Sequence, residues 1–121
     1  MMRVEVLPDG VRVVEAQTPQ PGPGEAQLRM IVAGVSGSDT HALRGRHPNV
    51  HPPYAPGHEV VGVVTAVAPE VTTVRAGQQV TVEPDLPCWE CKQCRAGRQN
   101  ICERLRFFGF DQAWVEALES A

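Results

Sequence analysis

The chain has no apolar run close to the roughly 18 residues that a membrane-spanning helix needs, and its opening, MMRVEVLPDG, lacks the long apolar core of a signal peptide. It has no basic excess either: 11 Lys and Arg stand against 14 Asp and Glu, a formal net charge of −3. Without an electropositive face, neither nucleic acid nor a membrane surface is expected as a partner. There is no internal repeat and no low-complexity tail. No G-x-G-x-x-G follows a strand, so nothing here should cradle a dinucleotide pyrophosphate. A length of 121 residues suits one modest core, not a substrate domain plus a cofactor domain. The expectation is a single cytoplasmic domain, 1–121, with no nucleotide-binding domain.

What is present is broken up by turns. Eleven Gly and eleven Pro cut the chain into short segments and favour β structure. Arg3 to Val6 and Val11 to Glu15 read as two strands around LPDG, which supplies the turn of a hairpin. After TPQPGPGE, the run AQLRMIVAGV alternates and then becomes apolar throughout, as a buried strand would. VVGVVTAVA (60–68) and QQVTVE (78–83) are two more strands. A short helix fits Ser38 to Arg44, with Ser38 or Asp39 as cap and Gly45 as terminator. Several short strands with turns between them suggest a barrel or sandwich.

The strongest chemical signal is PCWECKQCRAGRQNIC, in which Cys88, Cys91, Cys94 and Cys102 follow C-x2-C-x2-C-x7-C. Four thiolates at this spacing can converge on one ion. Zinc suits them, with Zn–S distances of about 2.3 Å, and four protein ligands leave no open position, so such a site is structural. Iron is the other ion that four thiolates hold, and a cluster of free or oxidised cysteines is the plain alternative. Lys92, Arg95, Arg98, Arg104 and Arg106, against Glu90 and Glu103, offset the charge of the thiolates.

Two weaker motifs precede this loop. VSGSDTH (35–41) could be a capped helix start and nothing more. In YAPGHEVVGVV, His58 and Glu59 open a strand, where adjacent side chains point to opposite faces. Taken in order, V-x-G-S-D-x-H, G-H-E-x-x-G-x-V and a tetracysteine loop ending G-x-x-N-x-C resemble the N-terminal, GroES-like catalytic domain of the zinc-dependent medium-chain alcohol and polyol dehydrogenases. The resemblance runs through about Gly109. It implies a mainly β, distorted GroES-like barrel with one or two short helices and a zinc-binding lobe, 84–106, near a subunit contact. It also implies a second, catalytic zinc that polarises an alcohol oxygen during hydride transfer to a nicotinamide. His58 would be a ligand of that zinc and Glu59 its neighbouring carboxylate. Asp39 would orient the histidine, Ser38 would accept the alcohol proton, and His41 would end the relay.

Three departures limit what carries over. The family's thiolate ligand falls at Ser36, a neutral and poor donor, so a second zinc is not expected. The remaining ligand and the nucleotide-binding domain lie outside this sequence, so NAD(P) should not bind to this chain alone. After FFGFD the tail 111–121 departs from the family: Ala113, Trp114, Ala117 and Leu118 fit a helix capped by Asp111. A barrel lacking its last strands has an open edge, which a second chain could cover as a homodimer. His47 and His51, flanking PNV, read as a solvated loop. Trp89, Phe107, Phe108 and Phe110 read as core or contact residues.

Three functions compete. One is a dehydrogenase-type GroES-like domain that keeps one structural zinc per chain and has an impaired catalytic site. A second is a non-enzymatic zinc-stabilised binding or assembly module, its small-molecule or protein partner unspecified. The third is a small enzyme of another class, using Asp39, His58 and Glu59 as acid–base groups in the former zinc cleft.

Overall fold

A computed structural model of the chain describes residues 1–110; the helix expected over 111–121 lies outside them. The described residues are mainly β. The strands are β1 (Met2–Leu7), β2 (Gly10–Glu15), β3 (Ala26–Gly34), β4 (Glu59–Val67), β5 (Gln79–Thr81), β6 (Asp85–Leu86) and β7 (Arg106–Phe107). Two short helices, α1 (Gly37–Leu43) and α2 (Lys92–Arg95), and a 3₁₀ turn at Gln99–Ile101 complete them. The strands form three antiparallel sheets, ordered β1-β2, β3-β4-β5 and β6-β7.

The expected opening hairpin is present, with Met2 paired to Glu15 and Leu7 to Gly10. It is tied to the loop before His58 by reciprocal backbone bonds between Val6 and Tyr54, at 2.9 and 3.0 Å. Val6, Ala42, Val50, Tyr54 and Phe110 form the main buried cluster. Four stretches of chain thus meet around Tyr54, which is 1% exposed. On β4, Val60, Gly62 and Val64 alternate inward, the period-2 pattern of a half-buried strand. Gly62 has no room for a side chain, because a Cβ there would lie 2.9 Å from the Arg29 carbonyl oxygen.

Two expectations change. The apolar stretch of β3 is not buried: Met30 and Val32 are 52% and 57% exposed. Among the described residues β3 pairs only with β4 and forms the sheet's edge, with register shifts around Leu28 and Ile31. Composition marks a strand that ought to be covered; it does not say by what. The helix α1 also begins earlier than expected, with Ser36, not Ser38 or Asp39, as its cap. The cap must lie three residues before a side chain that can bond back to it, and Asp39 fills that role for Ser36 in a capping box. At the other end Gly45, with φ +69°, donates its N–H to the Ala42 carbonyl, which stops the helix as expected.

One backbone crossing sets the site. A Cβ on Gly109 would lie 2.6 Å from the Gly57 carbonyl oxygen and 3.1 Å from the His58 nitrogen, and Gly109 has φ +90°. Gly109→Ala is therefore expected to cost about 2–4 kcal/mol from combined clash and strain. Gly97→Ala, where φ is +78° but space is open, should cost only about 1 kcal/mol from strain alone. Urea unfolding of the two variants checks the difference, and equal losses would contradict the crossing.

Candidate functional site

The four cysteine sulfurs lie within 4.8 Å of one another. The separations are 4.0 Å between Cys88 and Cys94 and 3.9 Å between Cys91 and Cys102. A disulfide needs about 2.05 Å, so these are thiols or thiolates. A tetrahedron with Zn–S of about 2.3 Å has edges of about 3.8 Å, close to what the sulfurs already form. The group could hold a structural zinc.

Local geometry explains the convergence. Cys91 caps α2, its sulfur accepting from the Cys94 N–H at 3.5 Å. The Cys88 sulfur accepts from the backbone N–H groups of Glu90 and Cys91, at 3.4 and 3.3 Å, and from Arg104 Nη2 at 3.4 Å. The Cys102 sulfur accepts from the N–H groups of Cys88 and Arg104, at 3.2 and 3.3 Å. Donors around sulfur favour the charged form. They hold Cys88 down to about 6, through the Glu90 N–H first and the Arg104 guanidinium next. Cys94 is pushed up to about 12, mainly by burial.

Below the lobe, β6 and β7 pair Asp85 with Phe107 and Leu86 with Arg106, closing the loop at its base. The sequence reading missed these strands, which at two residues each are too short to leave a periodic signal. Trp89, between two of the cysteines, is 67% exposed with φ +65°, so it is not part of the core. Phe110 is buried in it, and Phe107 packs against it.

The second constellation forms where α1 meets the start of β4. The Ser36 hydroxyl lies 2.7 Å from the Ser38 hydroxyl, 3.2 Å from Asp39 Oδ2 and 3.4 Å from His58 Nε2. Asp39 Oδ2 also accepts from the Ser36 backbone N–H at 2.9 Å. Behind the histidine, Asp39 Oδ1 and His58 Nδ1 face each other at 3.6 Å; both atoms are buried and neither has a hydrogen-bond partner. A small contraction would join them, and the carboxylate favours a proton on Nδ1. The Nε2 lone pair then points toward Ser36. The ring is wedged against Phe107 and Phe110, with centroids at 5.5 and 4.9 Å.

The structure thus brings together Ser36, Ser38, Asp39 and His58. It does not bring in the other two residues singled out in these motifs. His41 is exposed in the last turn of α1. Glu59 is exposed, and its carboxylate lies over the Cα of Gly34, its partner across β3 and β4. Among the described residues, the tetracysteine group alone gathers three or more His, Cys, Asp or Glu side chains as metal ligands.

A cleft of about 480 Å³ opens beside this constellation, lined by Ser38, His47, Asn49, His51, Phe107 and Phe110 among others. Sequence reasoning placed His47 in a solvated loop, but its ring stacks on Phe110 at 5.6 Å and 24°. That partner is 63 positions away, beyond the reach of any local pattern. His51 also lines the cleft, though it is exposed.

Comparison with known proteins agrees with this geometry. Residues 22–119 match the alcohol dehydrogenase GroES-like domain model. The starvation-sensing protein RspB of Escherichia coli (strain K12) is 37% identical over 102 residues, covering 84% of this chain and 30% of the relative. L-threonine 3-dehydrogenase of Pyrococcus abyssi is 35% identical over 111 residues, covering 89% of this chain and 32% of the relative. A crystal structure of a zinc-binding dehydrogenase from Sinorhizobium meliloti 1021 bound to NADP superimposes with a TM-score of 0.79 at 35% identity, covering 90% of this chain and 32% of that one. The chain spans about a third of the length of the relatives it matches. With its mainly β architecture, its convergent cysteines and these matches, the chain belongs to the alcohol dehydrogenase GroES-like domain family, the N-terminal domain of zinc-dependent medium-chain dehydrogenases.

Proposed function

We propose that this chain is a dehydrogenase-type substrate domain that keeps one structural zinc at Cys88, Cys91, Cys94 and Cys102 and has an impaired catalytic metal position. The observation that carries the reading is the Ser36 hydroxyl, 3.4 Å from His58 Nε2, where the family resemblance puts a thiolate. The separation itself suits a metal: ligand distances of about 2.3 Å to sulfur and 2.0 Å to nitrogen put the two donors about 3.5 Å apart. The chemistry does not. A hydroxyl keeps its proton at neutral pH and offers zinc neither charge nor softness, and Glu59 is turned toward Gly34. Ser36 instead serves as a helix cap. Zinc in the cysteine lobe would supply folding energy and no reaction step. Ser38 and Asp39 both hydrogen-bond to Ser36, while His41 stands apart from them in the last turn of α1; the relay roles that the resemblance implies for these three residues are part of this proposal.

Nicotinamide binding belongs to a separate nucleotide-binding domain, since no glycine fingerprint is present. Titration of the 121-residue chain with NADH should give no saturable change in nucleotide fluorescence, and stoichiometric binding would refute this part of the reading. The apolar edge strand β3 supports self-association through the side left unpaired among the described residues. Sedimentation equilibrium should then show a dimer, weakened by Ile31→Lys; a monomer at all concentrations would contradict it. Clustered free cysteines fit a reducing, cytoplasmic setting. No helix among the described residues is long and apolar enough to cross a membrane.

A further inference from the structure

The cleft beside Ser38 has a chemical bias that the family assignment does not specify. Among the described residues its polar lining is Ser38, His47, Asn49, His51 and Arg106, with no Asp or Glu, although the chain has more acids than bases. Arg106, on β7, is in no ion pair among the described residues. The His47 ring is fixed twice over: it stacks on Phe110, and its Nδ1 accepts from the Asn49 backbone N–H at 3.2 Å. With Nδ1 an acceptor, the proton of the neutral ring is on Nε2, which makes it a donor. Phe107 and Phe110, stacked at 5.4 Å, supply the apolar wall.

Taken together, these groups give a cleft with a hydroxyl at Ser38, a positioned imidazole N–H, and, at Arg106, a guanidinium that makes no ion pair among the described residues. A ligand that fits them is rich in acceptors, carries one negative charge, and has a carbon skeleton able to lie against two phenyl rings. We propose that the cleft selects a small hydroxy-carboxylate over the corresponding neutral polyol, with the carboxylate recognised by Arg106 and a hydroxyl by Ser38. The proposal rests on the reading of this cleft as the substrate side of a dehydrogenase-type domain. Arg106 is here a specificity-determining residue, not a catalytic one. A guanidinium pairs with carboxylate through charge-assisted hydrogen bonds that a terminal hydroxyl cannot match.

The test compares gluconate with sorbitol, which share a six-carbon polyol chain and differ at one end in carboxylate against hydroxymethyl. Titration of the zinc-loaded chain, followed by backbone amide shifts, should show gluconate binding about tenfold more tightly or better. The shifts should centre on Asn49, Phe107 and Phe110. Arg106→Gln should lower gluconate affinity to that of sorbitol, leaving sorbitol unchanged. Arg98→Gln should preserve the preference, because Arg98 is outside the cleft and bonded to Gln93. Equal binding of the two ligands by the unmodified chain, or a preference that survives Arg106→Gln, would overturn the inference and leave the substrate-cleft reading intact. Failure of both ligands to shift the cleft amides would overturn both.

Discussion

Cys94→Ala is expected to abolish zinc retention and to raise amide exchange across residues 92–101 by about a thousandfold or more. The buried side chains of the lobe are three cysteines, Cys91, Cys94 and Cys102, with Cys88 packed against them. No aliphatic or aromatic side chain is buried there, so the four cysteines, with the zinc they could hold, are the lobe's whole core. An ion present at 1,000 times its dissociation constant stabilises the form that binds it by about 4 kcal/mol, and that amount corresponds to about a thousandfold in an opening equilibrium. The Tyr54 cluster and β4 are built from other residues, so exchange at Val64 should change far less. Mass spectrometry of deuterium uptake reads both regions at once. A lobe that stays protected in the variant would contradict the tetracysteine account.

Acidification should act on the same ligands with a definite sign. Cys88, held down to about 6 from 9.0, is depressed in the folded lobe, so its contribution is complete above the free-thiol value and is lost as pH falls through about 6. Cys94, pushed up to about 12 from 9.0, has the opposite linkage in the metal-free lobe: its contribution is present below the free-thiol value and fades as pH rises toward 12. Zinc must displace that proton to bind Cys94. Zinc affinity should therefore rise with pH, and in the metal-free chain at pH 7 iodoacetamide should modify Cys88 before Cys94, which is 5% exposed.

Ser36→Cys is expected to raise the zinc content from one to two equivalents per chain. The backbone already puts this position at the right distance from His58, and Asp39 stands behind the ring as an orienting carboxylate. What is missing is a charged, soft donor, which the substitution supplies. Glu59 or water must complete the site, with Glu59 swinging away from Gly34. The exchange weakens the cap of α1, at a cost of about 1 kcal/mol, so the metal-free variant should be slightly less stable than its parent. Elemental analysis after dialysis checks the stoichiometry. A value that stays at one would show that Ser36 is not what limits metal binding here.

The fold was legible in the sequence where its causes are local. The hairpin around Pro8 and Asp9, the inward alternation of Val60 and Val64, and the glycine stop at Gly45 depend on neighbours within a few residues. Cysteine spacing belongs with them, because all four ligands come from fifteen consecutive positions, 88–102. Distance in the chain explains the misses. The burial of β3 depends on what covers Met30 and Val32, and the place of His47 depends on Phe110. The cap was missed by two to three residues because Ser36, Ser38 and Asp39 all have capping chemistry, and only the partner of Asp39 decides among them. Ser36 is informative for the same reason: its residue type underlies the proposal of an impaired metal position, while its position shows the hydroxyl at work as a cap.

Zinc per chain, measured by elemental analysis on the unmodified protein after exhaustive dialysis at neutral pH, tests the central claim most directly. One equivalent, lost together with any of the four cysteines and retained in His58→Ala, is the result expected of a structural lobe beside an impaired catalytic position. Two equivalents, falling to one in His58→Ala, would show that the catalytic metal is held despite Ser36.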